Sequence, residues 1–294
     1  MGADRVEITD LLWRTDARGR PLPVRRSEVV ARLTASGQSG AVRVAARLPL
    51  LRGDEGDGDL LDPAEVDALG VRVHRELSRL GEELQMARRV AAVLGPVVDG
   101  LRGDGGGPVR VVDLGCGIGH LVRSLAHTGE LGPDVELVGV DLNPALVAEA
   151  DRLRGVEGLR CRFVHGDALE PGVAVDDPSR TVVISVGVLH HLTPAELEAL
   201  FRAQADLGVV AWAHWDIVPC VWSTVGSWVF HRARMREPVS RHDGVLSARR
   251  AHPAETLLAA ASAGAPAYDH DVVEGPRWHP RALDVLRPLV GVRR

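Results

Sequence analysis

Lysine is absent from this 294-residue sequence; every one of its 35 basic residues is Arg. That excludes a Walker-type phosphate loop and any Schiff-base lysine. Asparagine occurs once, at Asn143. The three cysteines, Cys116, Cys161 and Cys220, are widely separated and odd in number. They make neither a disulfide framework nor a zinc cluster, so no metal is expected and a reducing cytoplasm suits the chain. No apolar run approaches the roughly 20 residues of a membrane span, and the first ten residues lack the apolar core of a secretory signal. The expectation is a cytoplasmic protein with no membrane partner. Aromatics are few, and a formal net charge of −5 argues against a dedicated nucleic-acid partner. What remains is an ordinary globular balance, 45% hydrophobic and 26% charged, with length for one large domain and an appendage.

The first 58 residues carry no recognisable chemistry. The spacing predicts a helix over 27–35, a half-wet strand over 41–49 and an acidic glycine-rich loop over 53–59. Asp62-Pro63 is a helix start, and apolar residues from Leu69 to Leu94 continue at helical spacing, with a break expected near Gly81. Residues 102–108 read as a linker. The expected division is therefore an N-terminal segment with a helical cap, 1–101, and a second domain over 102–294.

That second part alternates. Strands are expected over 109–114, 136–140, 159–164, 181–186 and 208–213, with helices between them, the first running from the glycines to about Thr128 and the others over 144–153 and 194–206. A further helix over 253–261 precedes two last strands over 267–274 and 282–292. Such alternation predicts an α/β, doubly wound, mostly parallel sheet. Ligands of such sheets sit beyond the carboxyl ends of the strands.

Three strand ends carry the chemistry. The first is followed by Asp113-Leu114-Gly115-Cys116-Gly117-Ile118-Gly119, whose glycines permit a tight turn and close backbone approach. The second ends at Asp141-Leu142-Asn143, an acid placed to accept from both hydroxyls of a ribose. The third ends at Gly166-Asp167-Ala168, an acid placed for an adenine amino group. A nicotinamide dinucleotide fingerprint would need glycine at position 120, which is His120.

With these residues in view, the sequence resembles the class I S-adenosylmethionine-dependent methyltransferases. VVDLGCGIGH is similar to their first motif, GVDLNP to the acidic ribose motif and HGDAL to the adenine motif. ISVGVLHHL, residues 184–192, resembles the fourth-strand motif of the branch that includes quinone-biosynthesis methylases. The resemblance covers about 109–213. It implies a Rossmann-like, seven-stranded sheet with the last strand antiparallel, and S-adenosylmethionine as cofactor with S-adenosylhomocysteine as product. By carry-over Asp113, Gly115 and Gly117 lie by the methionine part, with Cys116 and Gly119 in the same loop. Asp141 takes the ribose with Asn143 beside it, Leu142 flanks the adenine, Gly166, Asp167 and Ala168 hold its edge, and Ser185 lies near the sulfonium. A helix over 77–93 is expected to cover the cofactor, with Gln85, Arg88 and Arg89 in reach of the methionine carboxylate.

For the acceptor the sequence offers an insertion at 214–252. Trp212, Trp215, Trp222, Trp228 and Phe230 are half of all the aromatics. They read either as an apolar acceptor pocket, lined by Trp215, Trp222 and Trp228, or as core or a homodimer contact. His214, oriented by Asp216 two residues on, is the leading candidate base, with His190 and His191 next. The arginines of 232–250 read as a solvated face, or as a site where Arg241 meets an acceptor carboxylate or phosphate. The expected function is methyl transfer to a small, largely apolar, aromatic or polyketide-like acceptor, with O-methylation ahead of N or C. Alternatives are an RNA or protein methyltransferase using the arginine run, and a non-catalytic cofactor-binding scaffold.

Overall fold

The computed structural model describes residues 6–14, 21–52, 58–103, 106–273 and 285–294. Most of the 53–59 loop, the middle of the expected linker and the start of the expected last strand lie outside them. In chain order the elements begin with helices α1 (Ile8–Leu12), α2 (Arg26–Ala35), α3 (Ser39–Ala45), α4 (Pro63–Glu83) and α5 (Met86–Gly103). The alternating part follows as β1 (Val109–Leu114), α6 (His120–Thr128), β2 (Val135–Asp141), α7 (Pro144–Glu157), β3 (Arg162–His165), β4 (Thr181–Val186), α8 (Pro194–Leu207) and β5 (Ala211–Ile217). Then come α9 (Val221–Arg234), α10 (Pro238–Arg250), α11 (Ala254–Gly264), β6 (Tyr268–Val272) and β7 (Leu286–Arg293).

The chain divides into two compact units, residues 1–76 with 219–251, and residues 77–218 with 252–294. The larger unit holds one seven-stranded sheet of order β3-β2-β1-β4-β5-β7-β6. β1 to β5 are mutually parallel, and β7 runs antiparallel to both β5 and β6. The expected sheet, with its last strand reversed, is the observed one. Strand order reverses direction between β1 and β4, which makes their carboxyl ends the switch point where ligands bind such sheets.

Period-two alternation splits the sheet into two faces. Val109, Val111, Val182, Ile184 and Trp215 face one apolar layer with Met86, Val90, Leu94 and Val98 of α5. Val112, Leu114, Val183 and Trp212 face the other, with Leu197, Leu200 and Phe201 of α8. This packing corrects the expected boundary at 101/102. α5 is part of the sheet's own core, so the division falls inside α4, before Leu77.

The smaller unit is helical. Ile8, Leu12, Leu33, Ala41, Leu69, Val73 and Val239 form its core. The expected strand over 41–49 is helix α3 instead. Ala41 and Ala45 are its buried pair, and i, i+4 is the spacing of one helix face, so the alternating valines and arginines misread the period. Two buried carboxylates tie this unit together. Asp243 accepts from the backbone N–H groups of Ile8 (3.0 Å) and Thr9 (2.9 Å) at the start of α1. Glu76 accepts from those of Arg236 (2.6 Å) and Glu237 (3.2 Å).

Two local features set the helix boundaries near the sheet. α4 and α5 are separated at Gln85, which has φ 52°, and not at Gly81 as expected. α7 starts where Asn143 Oδ1 accepts from Ala145 N–H (2.9 Å), with Pro144 in the first turn.

Candidate functional site

The loop after β1 turns through three left-handed glycines, Gly115 (φ 70°), Gly117 (φ 56°) and Gly119 (φ 71°). A side chain at Gly115 would strike Val188 at 2.6 Å, and one at Gly119 would strike Phe163. Left-handed backbone and close packing therefore both demand glycine at these positions. Gly139 of β2 leaves room in the same way for Phe163 and the Cys116 sulfur. Burial pushes the Cys116 thiol well above its ordinary range, so it is an inert packing group.

Asp141 closes β2 and braces this loop. One carboxylate oxygen accepts from Gly117 N–H (2.7 Å), the other from Asn143 N–H (2.9 Å). Each oxygen keeps a further acceptor position. Gly166 N–H donates to Asp141 O (3.0 Å), bringing the end of β3 alongside, and Asp167 accepts from Leu169 N–H (2.9 Å). Leu142 is exposed at the same edge. The structure thus gathers Asp113 to Gly119, Asp141 to Asn143 and Gly166 to Ala168 at adjacent strand ends, as the spacing predicts.

Asp113 is buried. Burial, and then the charge of Asp141, push its carboxyl up to about 8. It is therefore protonated near neutrality and ionises when a cation comes to rest beside it. The acceptors at this edge are acidic: Asp113 is next to last in β1, Asp141 ends β2 and Asp167 follows β3. It suits a ligand that presents cations, sugar hydroxyls and an amino group.

Residues of the helical segment expected to reach the methionine carboxylate have partners within the chain. Arg89 donates to Leu286 O (2.7 Å) and Arg88 to Gln85 Oε1 (3.3 Å). Gly81 lies against His120, whose imidazole burial lowers.

The histidines depart from expectation. Trp212, His214 and Asp216 share one face of β5. His214 is fully buried there, stacked on Trp212 with ring centroids 5.4 Å apart. Its Nδ1 lies 2.9 Å from Ser185 Oγ and its Nε2 3.2 Å from Gln204 Oε1. Burial pushes the imidazole down to about 3, against the opposing pull of Asp216. Both ring nitrogens are spent inside the core, which corrects His214 as the candidate base. Ser185 is corrected with it, because its buried hydroxyl turns to His214 and away from the strand ends.

Asp216 pairs with His190 and not with His214. One oxygen lies 2.8 Å from His190 Nδ1, and the other accepts from His190 N–H at 2.7 Å. Burial alone would raise the Asp216 carboxyl, but the His190 charge and the hydrogen bonds of His190 and Ile217 outweigh it and bring it below the ordinary range. Gly187 (φ 73°), held by its N–H on Trp215 O (2.9 Å), turns the chain so that ring and backbone of His190 both meet Asp216. With Nδ1 turned to the carboxylate, Nε2 is the ring nitrogen of His190 that Asp216 leaves for another partner. The His191 ring stands 4.3 Å from that of His190. Reading Asp216 against its own strand neighbour missed this pair. The signal was that residue 190 follows β4 while Asp216 lies near the end of the adjacent β5, where a turn can bring them together. Gln204 was missed as well; a lone polar residue on the apolar face of α8 was its mark.

Trp215 is corrected from acceptor wall to core, since it is buried in the layer of α5. Trp222 and Trp228 belong to the smaller unit and are exposed on α9. Arg241, also in that unit, donates to Met235 O (2.7 Å).

Residues 111–207 match the family described as a methyltransferase domain. An uncharacterized protein of Mycobacterium tuberculosis is 30% identical over 154 residues, 51% of this chain and 54% of that protein. The chain thus spans about half the length of such curated relatives. A demethylmenaquinone methyltransferase of Thermus thermophilus is 40% identical over 62 residues, 21% of this chain and 27% of that enzyme. Among solved structures, the plantazolicin methyltransferase, in complex with a triazolic desmethyl analogue and SAH, has a TM-score of 0.53 at 12% identity. The match covers 77% of this chain and 96% of that one, and shows a shared fold. Residues 111–207 of this chain are therefore similar to a methyltransferase domain, on a sheet whose adjacent strand ends carry the glycine loop and the acids.

Proposed function

We propose that this protein binds S-adenosylmethionine at the ends of β1, β2 and β3 and transfers its methyl group to a small, largely apolar acceptor, at oxygen ahead of nitrogen or carbon. The observation that carries the reading is the glycine loop clamped by Asp141, with Asp113 buried behind it and Asp167 beside it. The residues fit the cofactor's chemistry. Asp141 retains lone pairs for two ribose hydroxyls, Asp167 and Ala168 beside it offer polar groups to an adenine edge, and the proton on Asp113 would give way to a cationic methionine end. When bound, S-adenosylmethionine supplies a methyl on a sulfonium, ready for in-line displacement.

The chain's own contribution is position and proton removal. His190 Nε2 takes the proton of an acceptor hydroxyl as the nucleophile attacks. Asp216 fixes the tautomer that leaves Nε2 basic and steadies the imidazolium that forms. His191 stands beside this pair as a second polar contact for the acceptor. Substrate class is supported by the stretch of identity to a demethylmenaquinone methyltransferase and by the net acidity, which disfavours RNA. The test is calorimetric titration with S-adenosylmethionine, S-adenosylhomocysteine and NAD, then a screen of phenols, quinols, amines and carboxylates read by S-adenosylhomocysteine release. Binding of the first two ligands and turnover of a phenol or quinol support the reading. Cofactor binding without turnover of any acceptor favours the scaffold alternative, and NAD binding alone contradicts it.

A further inference from the structure

Helix α9 is inside out. Its small polar residues face the core of its own unit. Ser223 and His231 are buried, Ser227 bonds to His231 and to Gly244 O, and a side chain at Gly244 of α10 would collide with the His231 ring. Its large apolar residues face solvent. Val221 is 75% exposed, Trp222 65% and Trp228 57%, with Val225 and Val229 exposed between and after them. Positions 221, 225, 228 and 229 recur at i, i+4, i+7 and i+8, so they form one stripe along the helix. That stripe of three Val and one Trp, flanked by Trp222, stands in water and marks a surface that is covered by something else.

The charges around the stripe say what covers it. Arg232 continues the stripe by one turn at the exposed end of α9, with exposed Arg236, Arg241 and Arg249 following. The segment 219–251 holds only two acids. Glu237 is held by Arg72 (2.7 Å), and Asp243 is buried on α1. This is local cationic character in a chain of net charge −5. A second copy docked face to face would bring like charges together. An anionic amphiphilic surface satisfies both features, since apolar side chains with Trp at the boundary enter the acyl edge while Arg meets phosphate. We infer that α9 is a peripheral docking helix for an anionic lipid surface, with Trp222 and Trp228 inserted and Arg232 on a headgroup phosphate. Among the described residues no helix is long and apolar enough to cross a membrane, and a helix lying on the surface needs no span. The inference stands independently of the methyl-transfer reading.

The experiment is co-sedimentation of the full chain with phosphatidylcholine vesicles with and without phosphatidylglycerol, at low and high salt. Wild type is expected to pellet with the anionic vesicles and to be released by salt. Trp222→Ser with Trp228→Ser should lower partitioning roughly tenfold or more. Arg232→Gln should lower it roughly fivefold, on anionic vesicles alone. Circular dichroism monitors folding; should the double variant unfold, Trp222→Gln and Trp228→Gln are assayed singly. Wild type left in the supernatant, or folded tryptophan variants that pellet as well as wild type, overturn the inference. So does a wild-type dimer in light scattering that these substitutions convert to monomer, which would assign the face to a second copy.

Discussion

His190 and His214 differ in what their second nitrogen can do. In His214 both nitrogens are bonded within the core, and the low proton affinity that burial imposes keeps the ring neutral. In His190 the Asp216 carboxylate takes Nδ1 and leaves Nε2. His190→Gln should therefore reduce turnover of a verified acceptor by ~10²–10⁴ while S-adenosylhomocysteine affinity is unchanged. His214→Ala should instead cost roughly 2–4 kcal/mol of stability, from the cavity and from stranding Ser185 and Gln204, and is read by urea denaturation. Asp113 adds a pH dependence. A buried acid whose folded value is raised to about 8 binds more protons folded than unfolded. Its contribution to stability therefore falls as pH rises from about 4 to about 8. Asp113→Asn should flatten that decline, so that the variant gains melting temperature relative to wild type between pH 6 and roughly pH 8. Equal pH slopes for the two proteins would place the raised acid elsewhere. None of this pairing is legible from spacing. The sequence places 214 and 216 on one face, but it does not say that Gln204 of α8 caps the far side of the ring or that the turn after β4 folds His190 onto Asp216.

Strands were legible where both faces are buried, because four or more apolar residues bounded by glycine or acid leave little else to form. β1 and β4 match their expected ranges. β5 begins three residues later than expected and ends at Ile217, since Trp212, His214 and Asp216 alternate in register with β4 and β7 where a break was expected. That slip is why His214 was placed at the strand's end and not in its middle. β3 likewise starts later, at Arg162. The α4–α5 break was misplaced because glycine was taken as the breaker, although Gly81 continues α4 against His120 while Gln85 takes the left-handed conformation. A non-glycine residue there costs about 1 kcal/mol. Gln85→Gly should therefore raise the unfolding free energy by that order; a lower value would mean that Gln85 makes a contact worth more than the strain.

At the scale of the whole molecule, the larger unit carries the residues that match the methyltransferase-domain family, and the segment 219–251, inserted after β5, returns to the smaller one. The motifs were legible because each follows a strand, and the sheet order brings those strand ends together. The division between the units was not legible, since it depends on which helices share the sheet's core and falls within one continuous helix, α4. The central claim, a cofactor site braced by Asp141, is tested most directly by titrating S-adenosylhomocysteine into the wild-type chain and into Asp141→Ala, with folding of both verified. The account predicts saturable binding at one site in the wild type. It predicts a loss of roughly 1–3 kcal/mol in the variant, as the sugar hydroxyls lose their acceptor. Equal affinity in the two proteins, or no heat of binding in the folded wild type, would contradict it.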